Sequence, residues 1–257
     1  MCELFGVSGV KKSDCRRFLR EFYSHGREHP HGWGIALIEG NSVRMRKEPV
    51  CSLESTFLKK RLSSPIRSNL LLAHIRLATK GSIEYKNTHP FILADNSGRT
   101  WTLEHNGTIF ESGVLSGYVR RQDGSTDSER ILCYLVDRMN RAIQKKKRRL
   151  TDEERAQVVE DVIYTVTPEN KVNLIVSDGE LLYVHTNYKG SLHRHEDEER
   201  VVFSTKPLTE NHWEELALNT LYVYRKNVLI YEGIPHTNEF FDSEEKMRLL
   251  FLDFAEM

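Results

Sequence analysis

No stretch of this chain is apolar for long enough to span a bilayer, and its first residues lack the apolar segment of a secretory signal. Its four cysteines, Cys2, Cys15, Cys51 and Cys133, form no CxxC spacing. That speaks against a disulfide framework and for a reducing, cytoplasmic setting. An excess of charge is also missing, since 37 Lys and Arg balance 37 Asp and Glu. With the signs cancelled, bulk charge recruits neither nucleic acid nor membrane, and small substrates or protein partners remain. The run Lys145 to Arg149 reads as a solvated helix end favoured by the helix dipole. No Pro-rich or Gly/Ser-rich linker, internal repeat or low-complexity segment divides the 257 residues, so one domain over 1–257 is expected. Metal is disfavoured too: His25, His29 and His31, or His193 and His195, come without companion cysteines or an HExxH pattern. No cofactor is expected.

What the chain does have is a cysteine directly after the initiator methionine. Trimming Met1 would leave Cys2 as residue one, with its own α-amino group beside the thiol. That amine, with an unperturbed pKa of roughly 7.7–8.0, suits proton transfer at neutral pH. A thiol of pKa ~8.5 is only a few per cent ionised at pH 7 and needs such help. The rival reading is an ordinary strand, because Cys2, Leu4 and Gly6 alternate with Glu3, Phe5 and Val7.

Periodicity outlines the rest. Ser13 is placed to cap a helix carrying Phe18, Leu19 and Phe22. Gly32 to Ile38 reads as a strand that turns at 39–42 into Val43 to Lys47, and a short helix is expected over Leu53 to Leu62. Asn69 to Arg76 reads as a strand buried on both faces. Trp101 to His105 is a strand stopped by Asn106-Gly107, a pair that readily turns the chain. The stripe Ile131, Leu135, Met139, Ile143 marks a long helix from Asp127, and Thr151 with Glu154 has capping-box spacing for another through Tyr164. Strands return at Val172 to Val176, Leu181 to His185, Val201 to Ser204 and Leu221 to Tyr231, the last folded at Lys226-Asn227. Asp242 and Glu245 are expected to open a final helix. Two batches of strands around a pair of helices imply an α+β fold of two mainly antiparallel sheets packed together.

Three motifs stand out: His74-Ile75-Arg76-Leu77-Ala78-Thr79, Asn87-Thr88-His89-Pro90-Phe91 and Glu104-His105-Asn106-Gly107. With Cys2 before them and Ser125-Thr126-Asp127-Ser128-Glu129 after, they resemble the glutaminase domain of class II glutamine amidotransferases, which are amino-terminal-nucleophile hydrolases. Cys2-Glu3-Leu4, Gly32-Trp33-Gly34, Asn87 to Phe91 and Ser204 to Thr209 look most like the small stand-alone bacterial branch. The resemblance implies a four-layer αββα sandwich in which Cys2 attacks the carboxamide of glutamine and forms a γ-glutamyl thioester. It assigns Asn106 and Gly107 to the oxyanion, Arg76 to the α-carboxylate, Asp127 to the α-ammonium, and Thr79 and His89 to the pocket. His74 and His105 read as structural histidines. Two departures stand out: Leu77 and Lys80 replace the Trp and His of fused synthases, and His31 stands where the stand-alone branch carries Asp. Three functions stay open: a glutaminase that passes ammonia to a separate synthase, a γ-glutamyl amide or peptide hydrolase, and a non-catalytic glutamine-sensing module. Self-association is also left open.

Overall fold

The computed structural model describes residues 2–110, 112–244 and 246. Strand β1 (Glu3–Asp14) leads through helix α1 (Arg16–Ser24) to a hairpin of β2 (Trp33–Glu39) and β3 (Ser42–Glu48). Helix α2 (Thr56–Leu62) precedes β4 (Arg67–Ile75), β5 (Phe91–Ala94) and β6 (Thr100–Thr108). The helical middle holds α3 (Gly113–Ser116), α4 (Asp127–Lys146) and α5 (Asp152–Val166). Seven strands follow: β7 (Lys171–Ser177), β8 (Leu181–His185), β9 (His193–Glu196), β10 (Arg200–Ser204), β11 (Glu214–Glu215), β12 (Tyr222–Arg225) and β13 (Val228–Glu232).

They form one sheet ordered β11-β9-β10-β1-β4-β2-β3 and a second ordered β13-β12-β8-β7-β6-β5. The described pairings are antiparallel. Strand alternation then decides the layers, because successive side chains face opposite ways. Phe5 and Val7 of β1 join Phe18, Leu19 and Phe22 of α1 in one apolar cluster. Leu4 and Leu72 meet Ile175, Leu182 and Val184 of the other sheet in a second. Trp101, Leu103 and Leu174 meet Ile131 and Leu135 of α4 and Val159 of α5 in a third. Three clusters between four layers give the expected αββα sandwich, each fully buried Leu, Ile, Val or Phe contributing roughly 1.5–3 kcal/mol.

Helix boundaries follow their caps. Thr126 caps α4 by accepting from Glu129 N, Lys147 ends it with φ 54°, and Thr151 with Glu154 completes the capping box of α5. The Ser13 cap is corrected. Strand β1 runs on through Ser13, which pairs with Ser68 beyond a bulge, and the Asp14 carboxylate takes the Arg16 N–H at 3.1 Å instead. Asn106-Gly107 is also no turn: both continue β6, opposite Asn173 and Val172 of β7. A local turn preference yields there to a neighbouring strand that offers ladder partners. Strands β5, β9 and β11 went unforeseen. The expected final helix at Asp242 and Glu245 falls mostly outside the described residues.

Candidate functional site

Cys2 stands directly before β1, and its thiol lies 3.4 Å from the Leu77 carbonyl, on the segment that follows β4. Burial pushes the Cys2 thiol up, with the Arg76 charge opposing and Asp127 adding to the rise. The resting group is thus held as the neutral thiol. Electrostatic interaction links Cys2, just before β1, and Arg76, just after β4, to Asp127 at the start of α4.

Arg76 is 2% exposed. Its Nη2 donates to Lys80 O at 2.9 Å and Gly81 O at 2.8 Å, and its Nη1 to Ser82 O at 3.0 Å. The guanidinium therefore gathers the 80–82 segment around itself. It has five N–H groups, so the Nε–H and one Nη1–H lie outside these three bonds. Asp127 is buried, with Oδ2 accepting from Ile109 N and Oδ1 from Ser128 N, both at 2.8 Å. Oδ1 also takes the Ser128 hydroxyl at 3.4 Å, so a second lone pair is left on Oδ2. Lys80, one of the departures, donates to Ile109 O at 2.8 Å and so ties the 80–82 segment to the strip that holds Asp127.

Asn106 and Gly107 lie where β6 meets the start of β7. The Asn106 carbonyl accepts from Asn173 Nδ2 at 2.7 Å. Gly107 is required by contact: a Cβ there would lie 1.9 Å from Lys171 O and 2.4 Å from His105 Nε2. His105 bonds Ser128 Oγ at 3.0 Å and Lys171 O at 3.2 Å, a structural histidine as expected. His74 departs from that pattern, since its Nδ1 has no partner. It stacks on His89 with ring centres 4.0 Å apart. His89 is buried with both ring nitrogens unbonded, and burial pushes both imidazoles well below their usual range. Thr79 is half-buried in the segment after β4.

His31 takes a specific task. Its Nδ1 accepts the Ala78 N–H at 2.9 Å, and burial with the Arg76 charge lowers its pKa, keeping it the neutral acceptor this bond needs. Asn87 is the other organiser. Its Nδ2 donates to Ser82 O and Ser125 Oγ, and its Oδ1 accepts from Ser125 N, so it joins the Arg76 segment to the approach of α4.

Sequence reasoning missed the group around Glu3. This carboxylate, 1% exposed beside Cys2, meets His25 Nδ1 at 2.8 Å, His29 Nε2 at 3.0 Å and Lys206 Nζ at 2.9 Å. Glu3, Glu28 and His29 have the spacing of a metal site. The Lys206 ammonium, 2.9 Å from Glu3 and 2.9 Å from Glu28, sits between the two carboxylates. Burial alone would raise the Glu3 pKa, but the bonds from His29, His25 and Lys206 win and bring it from 4.5 to about 2.

A lowered folded-state value means the group adds stability above the unfolded pKa, lost as pH falls through about 2. The displacement corresponds to roughly 3 kcal/mol. Glu3→Gln should therefore flatten the loss of stability between about pH 5 and 2, read from urea midpoints against pH. Parallel profiles for the two proteins would refute this.

Comparisons with known proteins show the family of the chain. The family described as glutamine amidotransferases class-II matches residues 1–195. A protein of Methanocaldococcus jannaschii, "Uncharacterized protein MJ1515", is 31% identical over 264 residues, covering 91% of this chain and 72% of that one. The crystal structure of a "predicted glutamine amidotransferase from Pseudomonas aeruginosa PA01" superposes with TM-score 0.65 at 25% identity, over 90% of this chain and all of that one. The glutamine phosphoribosylpyrophosphate amidotransferase of B. subtilis shares the fold at 15% identity and TM-score 0.68, over 93% of this chain and 50% of that one. The chain belongs to the class II glutamine amidotransferases.

Proposed function

We propose that residues 1–257 act as one cytoplasmic glutaminase domain, hydrolysing the side-chain amide of glutamine through a thioester on Cys2. The carrying observation is that the Cys2 thiol lies within electrostatic reach of Arg76 and Asp127, and of Lys171, whose carbonyl adjoins Gly107. In this reading the α-amine of a processed Cys2 takes the thiol proton, and sulfur bonds to the amide carbon. Charge collects on the carbonyl oxygen, where Asn106 Nδ2 and the Gly107 N–H receive it. The C–N bond breaks, and the α-ammonium returns its proton to the leaving nitrogen. Water then attacks the thioester, and glutamate departs with the thiol restored. Arg76 offers its remaining N–H groups to the α-carboxylate, and Asp127 its charge and the second lone pair of Oδ2 to the α-ammonium. Thr79 and the His74–His89 stack line the pocket. The ammonia is either released or handed to a separate synthase.

The same grip would serve a γ-glutamyl amide or peptide, because it touches only the amino-acid end. Asp127→Asn keeps shape and removes the charge. It should raise KM by roughly tenfold or more, since a hydrogen bond to a charged group is worth ~1.5–3 kcal/mol. That loss should shrink for an N-acetylated substrate, which lacks the ammonium. Steady-state rates for both enzymes with both substrates, read as released glutamate or its acetyl derivative, measure the coupling. Equal processing of acetylated and free substrate by the unmodified enzyme would rule Asp127 out as ammonium ligand. Binding of glutamine with no release of glutamate would leave a sensing module.

A further inference from the structure

Glu104 lies two residues before Asn106 on β6, so both side chains leave the same face of the strand. Their neighbours Trp101 and Leu103 pack toward α4 and α5, which turns Glu104 and Asn106 toward the other sheet. Glu104 is fully buried and neither carboxyl oxygen makes a well-formed hydrogen bond, the Phe5 backbone N–H approaching too loosely for one. Asn106 Oδ1 is likewise buried without a partner. Same-face neighbours along a strand are about 7 Å apart at Cα, a span that a glutamate and an asparagine side chain together can bridge.

An asparagine that gives its Nδ2 to an oxyanion must turn its Oδ1 away, and a buried acceptor left unbonded costs about 1–3 kcal/mol. The Asn173 bond holds the Asn106 main chain and leaves the side-chain amide to turn. A carboxylate beside Oδ1 would repel it. A carboxylic acid carries the missing donor.

We infer that Glu104 is a positioning residue, a neutral carboxylic acid whose O–H donates to Asn106 Oδ1 and aims the Asn106 amide at the reacting carbonyl. This rests on the oxyanion role proposed for Asn106. Burial holds Glu104 well above the usual carboxylate range, the Phe5 backbone N–H opposing without overcoming it. The two groups are not bonded to each other in the structure, so the bond belongs to the amide orientation that meets charge, and its effect falls on kcat. His74 Nδ1 is the rival acceptor for this proton, also buried and unbonded.

The test uses the processed full chain with glutamine, following kcat, KM and Tm for Glu104→Met and Glu104→Gln, alone and with Asn106→Ala. Glu104→Met removes the donor at similar length. It should lower kcat about tenfold, the effect of one hydrogen bond, with KM nearly unchanged. Tm should hold or rise, because a buried unbonded carboxyl gives way to an apolar group. A purely structural role would lower Tm instead. Glu104→Gln still offers N–H donors and should keep kcat within about threefold. In the Asn106→Ala background neither change should matter further.

An unchanged kcat in Glu104→Met, or an equal drop with and without Asn106, overturns the inference, the second outcome pointing to His74. Should Glu104→Met fail to fold, infrared spectroscopy decides: unmodified protein must show the carbonyl stretch of a neutral acid that Glu104→Gln lacks, and its absence overturns the inference. Asn106→Ala with normal kcat sinks the oxyanion reading and this pairing together. A crippled Asn106→Ala beside an unaffected Glu104→Met sinks the pairing alone.

Discussion

Asn106→Ala will lower kcat by about 10²–10³ with a smaller change in KM, because an oxyanion donor is aimed at charge present mainly in the transition state. The fold should tolerate the change. Asn106 holds its place through main-chain pairing to Asn173 and the bond from Asn173 Nδ2, and alanine keeps both. Asn106→Asp should be worse, since a carboxylate would face the charge it ought to stabilise. The measurement is steady-state glutamate release alongside a thermal melt. Near-normal kcat in a folded Asn106→Ala would reduce Asn106-Gly107 to a piece of strand with no share in the chemistry.

Cys2→Ala should abolish turnover, a loss on the order of 10⁶-fold as when a covalent nucleophile is removed. Retention of Met1 should come close to the same result. Burial pushes the Cys2 thiol up, so little thiolate exists at neutral pH, and a base is needed where the thiol sits. Two nearby histidines are already engaged: His105 by Ser128 and the Lys171 carbonyl, and the Nδ1 of His31 by the Ala78 N–H. The α-amine of a processed chain remains in reach within the same residue. Intact-mass measurement should find active protein beginning at Cys2, and a glutamine analogue bearing an electrophile at the γ-position should label that residue. Full turnover from protein that quantitatively keeps Met1 would sink the amine as base.

The sandwich was legible because its evidence is local: the alternation in β1, the apolar run of β4, the stripe on α4, and the capping box of α5 are read within a few residues. The motifs were legible for the same reason. Asn106-Gly107 misled, since its turn preference is local whereas the ladder from β7 that keeps it extended comes from some 67 residues away. Glu3 was hidden more deeply. A charged residue in an alternating strand reads as solvent-facing, and only the folded chain brings His25, His29 and Lys206 around it. The departures at His31 and Lys80 looked like losses of family chemistry. His31 accepts the Ala78 N–H of the segment after β4, and Lys80 on that segment donates to the Ile109 carbonyl beyond β6.

The apolar seam between the sheets has a consequence for how accurately this molecule can be built. Cys2 stands at the entry to β1 of one sheet and Asn106-Gly107 in β6 of the other, and Leu4, Leu72, Ile175 and Leu182 pack between the sheets. In the proposed mechanism the gap between sulfur and oxyanion donors is therefore a spacing between two sheets, set by the side-chain volumes in that seam. A misplacement of about 1 Å at a reacting centre can cost 10²-fold. The interior of this sandwich works as the gauge block against which its reactive edge is machined.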